Sequence, residues 1–181
     1  MTFTIIFLIA FIVSFGMRHW LSQRQIRYVS SHRDAVPTEF TSKVTLAEHQ
    51  KAADYTIAKL RLGILENGVS AIILIAFTLL GGLEILNLFL LQVLGQGVAQ
   101  QIALLVSIVL ISGVIDLPFS WYKQFHLEER FGFNRMSAKL FFSDMFKGIA
   151  VGGAIGIPLL WVILTLMLKA RSEEHTSELQ S

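Results

Sequence analysis

The chain contains 181 residues, of which 54% are hydrophobic and only 15% are charged. Soluble domains carry roughly 25% charged residues, so this composition argues against a soluble enzyme, a disordered tail and a nucleic-acid-binding protein. The net charge of +2 is small, and the absence of cysteine excludes disulfides, thiolate metal sites and a cysteine nucleophile. The composition predicts a membrane protein whose partner is the lipid bilayer.

Four apolar stretches are long enough to cross a bilayer, which takes about 20 apolar residues in a helix. They cover residues 2–21, 69–91, 99–119 and 149–168. We therefore predict an all-α, polytopic membrane domain over residues 1–170, with about four transmembrane helices and amphipathic cytoplasmic helices. The first stretch lacks a basic start and a cleavage site of small residues, which favours a retained helix over a signal peptide.

The basic residues between these stretches predict an orientation. Segment 22–68 carries seven Lys and Arg residues, segment 120–148 carries five, and segment 92–98 carries none. Because short cytoplasmic loops are enriched in Lys and Arg, we expect the two basic segments in the cytoplasm and the N-terminus outside. The expected location is the inner membrane of a bacterium.

Both basic segments contain helix signals. Thr45 and Glu48 have the spacing of a capping box, which predicts a helix over residues 46–66 with Gly68 at its end or at a kink. This helix is either an interfacial amphipathic helix or a surface that packs on a cytosolic domain. In the second basic segment, Gly132 and Asn134 are expected to break a helix, and a short helix is predicted over residues 137–147.

The last eleven residues, 171–181, are abruptly polar. With suitable codons they back-translate to a string that looks like a common short-read sequencing adapter. We therefore interpret them as a non-native tail and leave them out of the fold prediction, as is done for an expression scar. The alternative is a natural polar C-terminus.

Two carboxylates stand in or beside apolar stretches, Glu84 and Asp116. Charges in such places are costly and usually face a bundle interior or water, so each is a candidate intramembrane polar residue. They are expected at opposite depths, Glu84 in the outer half of the second span and Asp116 near the inner end of the third. This separation argues against a paired-carboxylate site, and the alternative for each is hydrogen bonding at an interface.

No catalytic or metal-binding residue is predicted in this chain. A zinc protease needs His-Glu-x-x-His on a helix, so that two imidazoles share one face and the Glu activates the metal-bound water. None of the five histidines is followed by Glu. His126 is close in sequence to Glu128 and Glu129, but one His beside two carboxylates is more typical of a solvated loop.

The fourth stretch contains Gly152 and Gly156 four residues apart, followed by Pro158. Small residues at this spacing let membrane helices approach closely, so we expect a helix-packing face here. Proline inside a helix predicts a kink.

One motif resembles the membrane-domain signature of the CAAX prenyl protease family of zinc metallopeptidases. Its residues are Trp121, Tyr122, Phe125, Glu128, Glu129, Arg130, Phe131, Gly132, Phe133 and Asn134, followed by Phe142, Asp144 and Lys147. Two further segments are similar to that family: residues 52–61, Ala-Ala-Asp-Tyr-x-x-Ala-Lys-x-Arg, and residues 156–160, Gly-x-Pro-Leu-Leu. The resemblance covers most of residues 40–168.

The resemblance implies a ring of membrane helices around a water-filled chamber, closed by a zinc protease domain on the cytosolic side. The family's zinc helix lies beyond a further span, so we expect this chain to be a fragment truncated before its active site and inactive by itself. The implied full-length protein holds zinc and cleaves a peptide or membrane-protein substrate. The motif residues, including Asp144 and Lys147, then have a structural role, which is to dock the helices on the C-terminal protease domain that is lacking here or to line the chamber. A pairing of Arg130 with Glu128 across that contact is one possibility.

Two other functions remain open on the sequence. One is a non-enzymatic channel or transporter fragment that uses Glu84 and Asp116. The other is a small membrane scaffold whose basic first loop binds lipid headgroups or a partner.

Overall fold

The computed structural model describes the backbone of residues 2–178 and the side chains of residues 2–169. The described part is helical and contains no strand, which confirms the all-α prediction. The chain divides into two compact units. The first comprises the chain up to Leu80 together with Asp116–Asn134, and the second comprises Gly81–Ile115 together with the chain from Arg135 onward.

Two long helices form most of the first unit. Helix α1 spans Thr2–Ser31, a 3-10 turn spans Thr38–Phe40, and helix α2 spans Leu46–Thr78. The predicted capping box begins α2: the Thr45 hydroxyl accepts a hydrogen bond from the Glu48 amide, and the Glu48 carboxylate accepts one from the Thr45 amide. Helix α1 packs against α2.

The predicted end of this helix at Gly68 is wrong. Helix α2 runs through Gly68 without interruption and has 33 residues. Its polar first part and the following apolar residues form one continuous helix. At 1.5 Å per residue it is roughly 50 Å long, whereas the hydrocarbon core of a bilayer measures about 30 Å. The charged first part of α2 therefore extends beyond the membrane.

The prediction of one helix over residues 69–91 is also wrong. Helix α2 ends at Thr78, and helix α3 begins at Gly82 and ends at Leu94. Gly81 lies between the two helices and has a φ of 79°. This left-handed backbone conformation is unfavourable for residues that have a β-carbon. Glu84 consequently lies in the first turn of α3, and not in the second span.

The remaining two long helices contain the predicted spans 99–119 and 149–168 and extend beyond them. Helix α4 spans Val98–Tyr122 and passes into a π-helical segment, Lys123–Leu127, and a final turn, α5, Glu128–Arg130. Helix α6 spans Ala138–Glu178. The predicted short helix over residues 137–147 is thus the first part of α6, because no residue between it and the fourth apolar stretch interrupts the helix.

Four described helices are long and apolar enough to cross a membrane: Thr2–Ser31, Leu46–Thr78, Val98–Arg130 and Ala138–Lys169. Helix α3 is apolar but has only 13 residues, about 20 Å of helix, which is too short to cross. Large apolar side chains are exposed along all four long helices, as in Phe3, Ile72, Val109 and Leu166. Lipid is the solvent that suits such surfaces. A non-native origin is predicted for residues 171–181. The side chains of these residues lie outside the described part of the chain.

The expected close packing at Gly152 and Gly156 is not present in the described part of the chain. A β-carbon built on either glycine has no neighbouring atom within 4 Å. Both glycines instead line an open cleft in the second unit, with a volume of about 750 Å³, together with Leu105 and Val109 of α4.

A hydrogen bond between side-chain amides joins α3 and α4 in the second unit. Asn87 of α3 accepts from the Nε2 group of Gln100 on α4, and Gln100 is only 6% exposed. A buried amide without a partner costs free energy, so this pair fixes the register of the two helices.

The pair predicts a non-additive double-mutant cycle. We expect Gln100→Leu and Asn87→Leu each to lower the free energy of unfolding by about 1 kcal/mol, because each leaves the other amide unpaired. The double variant should lose less than the sum of the two. Gln101→Leu removes the neighbouring amide and serves as the matched control. Thermal unfolding in detergent, followed by circular dichroism, measures all four variants, and strictly additive losses would contradict the pairing.

Candidate functional site

The motif loop, residues 128–134, contains the short helix α5 and reverses the chain directly after it. Gly132 has a φ of 74°, and two backbone hydrogen bonds close the turn. The Glu129 carbonyl accepts from the Gly132 amide at 2.9 Å, and the Glu128 carbonyl accepts from the Phe133 amide at 2.8 Å. This is the Schellman arrangement, which ends a helix with a left-handed glycine. The predicted helix break at Gly132 is confirmed.

The motif loop docks on helix α2 through aromatic side chains. The ring of Tyr55 meets the rings of Phe131 and Phe133 edge to face, with centroid distances of 5.4 and 5.0 Å. The Lys51 ammonium group lies 5.5 Å from the centre of the Phe133 ring, within the range of a cation–π contact. Tyr55 therefore contacts both phenylalanines of the loop, and Lys51, one helical turn earlier on α2, contacts Phe133 as well.

Apolar burial in the first unit concentrates at the same place. Leu127 is 5% exposed and Phe131 is 8% exposed, and on α2 Ala53 and Leu62 are buried as well. These are the most buried apolar side chains among those described. The least exposed of the described apolar side chains therefore lie on α2, in the motif loop and in the residue directly before that loop.

The π-helical segment connects α4 to the motif loop. Gln124 lies in this segment and donates from Nε2 to the Asn134 Oδ1 atom at 2.7 Å, which ties the end of the loop back to the segment. His126 stacks on Tyr122 with a centroid distance of 5.2 Å. A π-helical insertion in an α-helix often marks a functional site, and here it sets the direction in which the loop leaves the helix.

An ion pair fixes the charged first part of α2 to the segment that follows α1. Arg33 donates from Nε to Asp54 Oδ1 at 2.7 Å and from Nη2 to Asp54 Oδ2 at 2.9 Å. The two parallel bonds match the planar guanidinium to the carboxylate. Hydrogen bonding to Arg33 lowers the pKa of Asp54, and the charge of Arg130 lowers it further. The hydrogen bonds to Asp54, and then the negative charge of Asp54, raise the pKa of Arg33.

Asp54 and Tyr55 are adjacent residues, so one turn of α2 carries both anchors. Asp54 binds the end of α1 through Arg33, and Tyr55 binds the motif loop. Two further contacts reinforce the first anchor: His49 Nε2 lies 2.9 Å from the His32 carbonyl oxygen, and Gln50 donates to Asp34 at 2.9 Å.

Two charged residues of the motif loop lie at the surface. Glu129 and Arg130 are exposed, and the Arg130 guanidinium lies 5.7 Å from the centre of the Phe131 ring. The ion pairs found among the described side chains do not include the suggested pairing of Arg130 with Glu128. The Asp144 and Lys147 side chains approach each other at 3.5 Å within helix α6, in the second unit.

The two candidate intramembrane carboxylates belong to different units. Glu84 lies in the first turn of α3 in the second unit, and Asp116 lies on the part of α4 that belongs to the first unit. Both are exposed. Among the described residues, no three His, Asp or Glu side chains converge in a way that would hold a metal ion. The side chains of residues 2–169 therefore supply no ligand set for zinc.

The anchors on α2 were not recognised as site residues in the sequence. Residues 52–61 carry a resemblance of their own, and that was the available signal, but no spacing rule places Tyr55 beside a loop more than seventy positions away. The contact depends on the packing of α2 and the end of α4, which only the structure shows.

Comparisons with known proteins agree with this geometry. Residues 25–173 match the family model described as CAAX prenyl protease N-terminal, five membrane helices. CAAX prenyl protease 1 of Saccharomyces cerevisiae is 27% identical over 168 residues, which are 87% of this chain and 37% of that protein. The CAAX prenyl protease 1 homolog of Taenia solium is 44% identical over 52 residues, which are 26% of this chain and 11% of that protein.

A solved structure has the same fold. The crystal structure of S. mikatae Ste24p matches with a TM-score of 0.80 and 27% identity, over 88% of this chain and 38% of that one. The chain thus spans less than two fifths of the length of the yeast relatives that it matches along most of its own length. Because the family model covers all of the motif loop and most of the helices, the chain belongs to the family of CAAX prenyl protease N-terminal membrane domains.

Proposed function

We propose that this chain is the membrane domain of a zinc metalloendopeptidase of the CAAX prenyl protease type. The observation that carries the proposal is the docking of the motif loop on α2, since the two segments whose residues resemble the family contact each other through Tyr55, Phe131 and Phe133. The matched relatives are named CAAX prenyl proteases and are more than twice as long as the matched region. Their additional length leaves room for a catalytic domain.

The role that we assign to the motif loop is structural. Its backbone is fixed by the turn at Gly132, and its phenylalanines are held on α2, so its exposed charged residues are presented in a fixed geometry. Glu129 and Arg130 extend from this rigid base. We assign Glu129, together with Glu128 on the same turn, to the contact with the C-terminal protease domain, whereas Arg130 also lines a cavity of the first unit. Asp144 and Lys147 belong to the same family motif but lie on α6.

A polar cavity in the first unit supports a water-filled chamber. It lies beside α2, has a volume of about 470 Å³, and is lined by Gln25, Lys59, Glu66, Asn67 and Lys123 among others. So many polar groups facing one space in a membrane domain indicate contact with water. These residues, more than Glu84 or Asp116, are therefore our candidates for the chamber wall.

Peptide-bond hydrolysis by zinc-activated water belongs, in this proposal, to the part of the full-length protein outside this chain. We assign no step of that chemistry to residues of this chain, since no group of three potential metal ligands was found among the side chains that the structure describes. The substrate class that we propose is a peptide or a membrane protein. The bacterial inner membrane has no support from the relatives named above, which come from yeasts and a flatworm.

The orientation predicted from the basic segments can be tested with single cysteines, because the chain contains none of its own. We expect Gln96→Cys, between α3 and α4, to react with an impermeant maleimide on intact spheroplasts. Glu39→Cys, in the basic segment after α1, should react only after permeabilisation. Both positions are exposed, so accessibility to the reagent depends on the side of the membrane. The reversed labelling pattern would contradict the orientation.

A chimera tests the proposed function. Residues 1–170 replace the matching segment of the S. cerevisiae relative, and cleavage of a peptide substrate is measured in membranes. We expect cleavage that a zinc chelator abolishes, and none from the 181-residue chain alone. Zinc-dependent hydrolysis by that chain, or an inactive chimera that reaches the membrane intact, would contradict the proposal.

Two matched variants of the chimera test the motif loop. Gly132→Ala forces a β-carbon into a left-handed conformation at a cost of about 1 kcal/mol, so we expect reduced cleavage. Gly113→Ala, at an unhindered helical position of α4, should leave cleavage unchanged. Equal activity of the two variants would refute the role assigned to the loop.

A further inference from the structure

A second cavity in the first unit combines cationic and apolar walls. It lies between α2 and the end of α4 with its π-helical segment, and has a volume of about 540 Å³. We call it the arginine cleft. The residues that matter for its chemistry are Arg61, Leu62, Leu65, Phe119, His126 and Arg130.

The charge of the arginine cleft is one-sided. Arg61 and Arg130 both line it, and no Asp or Glu does. The ion pairs found among the described side chains include neither arginine. Asp54, the carboxylate whose pKa responds to Arg130, already accepts two hydrogen bonds from Arg33. The two guanidinium groups thus line the cleft without an ion-pair partner among the described side chains, and they have the planar form that binds phosphate oxygens well.

The apolar wall continues from the arginines toward the membrane. Leu65 lies one helical turn after Arg61, on the side of the apolar part of α2, and is 63% exposed. On α4, Phe119 and Tyr122 both line the cleft. Phe119 lies one helical turn before Lys123. Tyrosine and tryptophan residues favour the level of lipid headgroups, which places the arginines at that level and Leu65 and Phe119 at the level of the acyl chains.

We propose that the arginine cleft binds an anionic phospholipid, with its phosphate between Arg61 and Arg130 and an acyl chain along Leu65 and Phe119. Basic pockets between membrane helices bind anionic headgroups in this way. A soluble phosphate ester satisfies the two arginines but leaves the apolar wall uncovered, so lipid matches the cleft more fully.

The test uses the purified 181-residue chain in non-ionic detergent. Phosphatidylglycerol and phosphatidylcholine with identical acyl chains are titrated separately, and bound lipid is counted by native mass spectrometry. We expect phosphatidylglycerol to bind at least tenfold more tightly. The double variant Arg61→Gln/Arg130→Gln should weaken phosphatidylglycerol binding about tenfold to thirtyfold. Arg27→Gln/Lys43→Gln removes the same charge from exposed positions outside the cleft and should change binding less than threefold.

Further measurements separate the lipid from its headgroup and from a folding defect. Millimolar glycerol phosphate should not displace phosphatidylglycerol, and binding by the unchanged chain should weaken as sodium chloride is raised. Equal binding of the two lipids, equal loss in the two double variants, or displacement by glycerol phosphate would overturn the proposal. Because Arg61 and Arg130 are exposed, the variant should retain the helical content of the parent chain.

Discussion

The contact of Tyr55 with Phe131 and Phe133 joins the two parts of the chain on which the first unit depends. A membrane domain has little hydrophobic driving force between its helices, since lipid is as apolar as the side chains. Specific packing must therefore fix the arrangement. Here Tyr55, on the extramembrane part of α2, contacts both phenylalanines of the motif loop. Backbone hydrogen bonds within the loop fix the shape of its turn. The adjacent Asp54 holds the end of α1 by a bidentate ion pair.

The length of α2 makes this arrangement possible. A helix that ended at the membrane surface would have no rigid surface on which to hold the motif loop, whereas α2 continues beyond the bilayer and carries Lys51, Asp54 and Tyr55 there. Helix α2 also forms one wall of the polar cavity and one wall of the arginine cleft. The polar cavity and the arginine cleft therefore both depend on α2, and the motif loop that we assign to the protease contact is docked on the same helix.

Local features of this fold could be predicted from the sequence, and distant contacts could not. The capping box at Thr45 and the break at Gly132 follow from hydrogen bonding and backbone conformation within a few residues, and both are confirmed. The break at Gly81 was missed because uninterrupted apolar residues on both sides concealed the Gly-Gly signal. The positions of Tyr55, Arg33 and the π-helical segment depend on packing between distant segments, which periodicity and composition do not encode.

Hydrogen exchange of the motif loop tests the central claim, which is that α2 holds the loop in place. The amides of Gly132, Phe133 and Asn134 are followed in the detergent-solubilised chain and in Tyr55→Ala, with Tyr28→Ala as the control for removal of an exposed tyrosine. We predict exchange at least tenfold faster in Tyr55→Ala and unchanged in Tyr28→Ala. If these amides stay equally protected in Tyr55→Ala, the loop is held by its own turn alone, and the account is wrong.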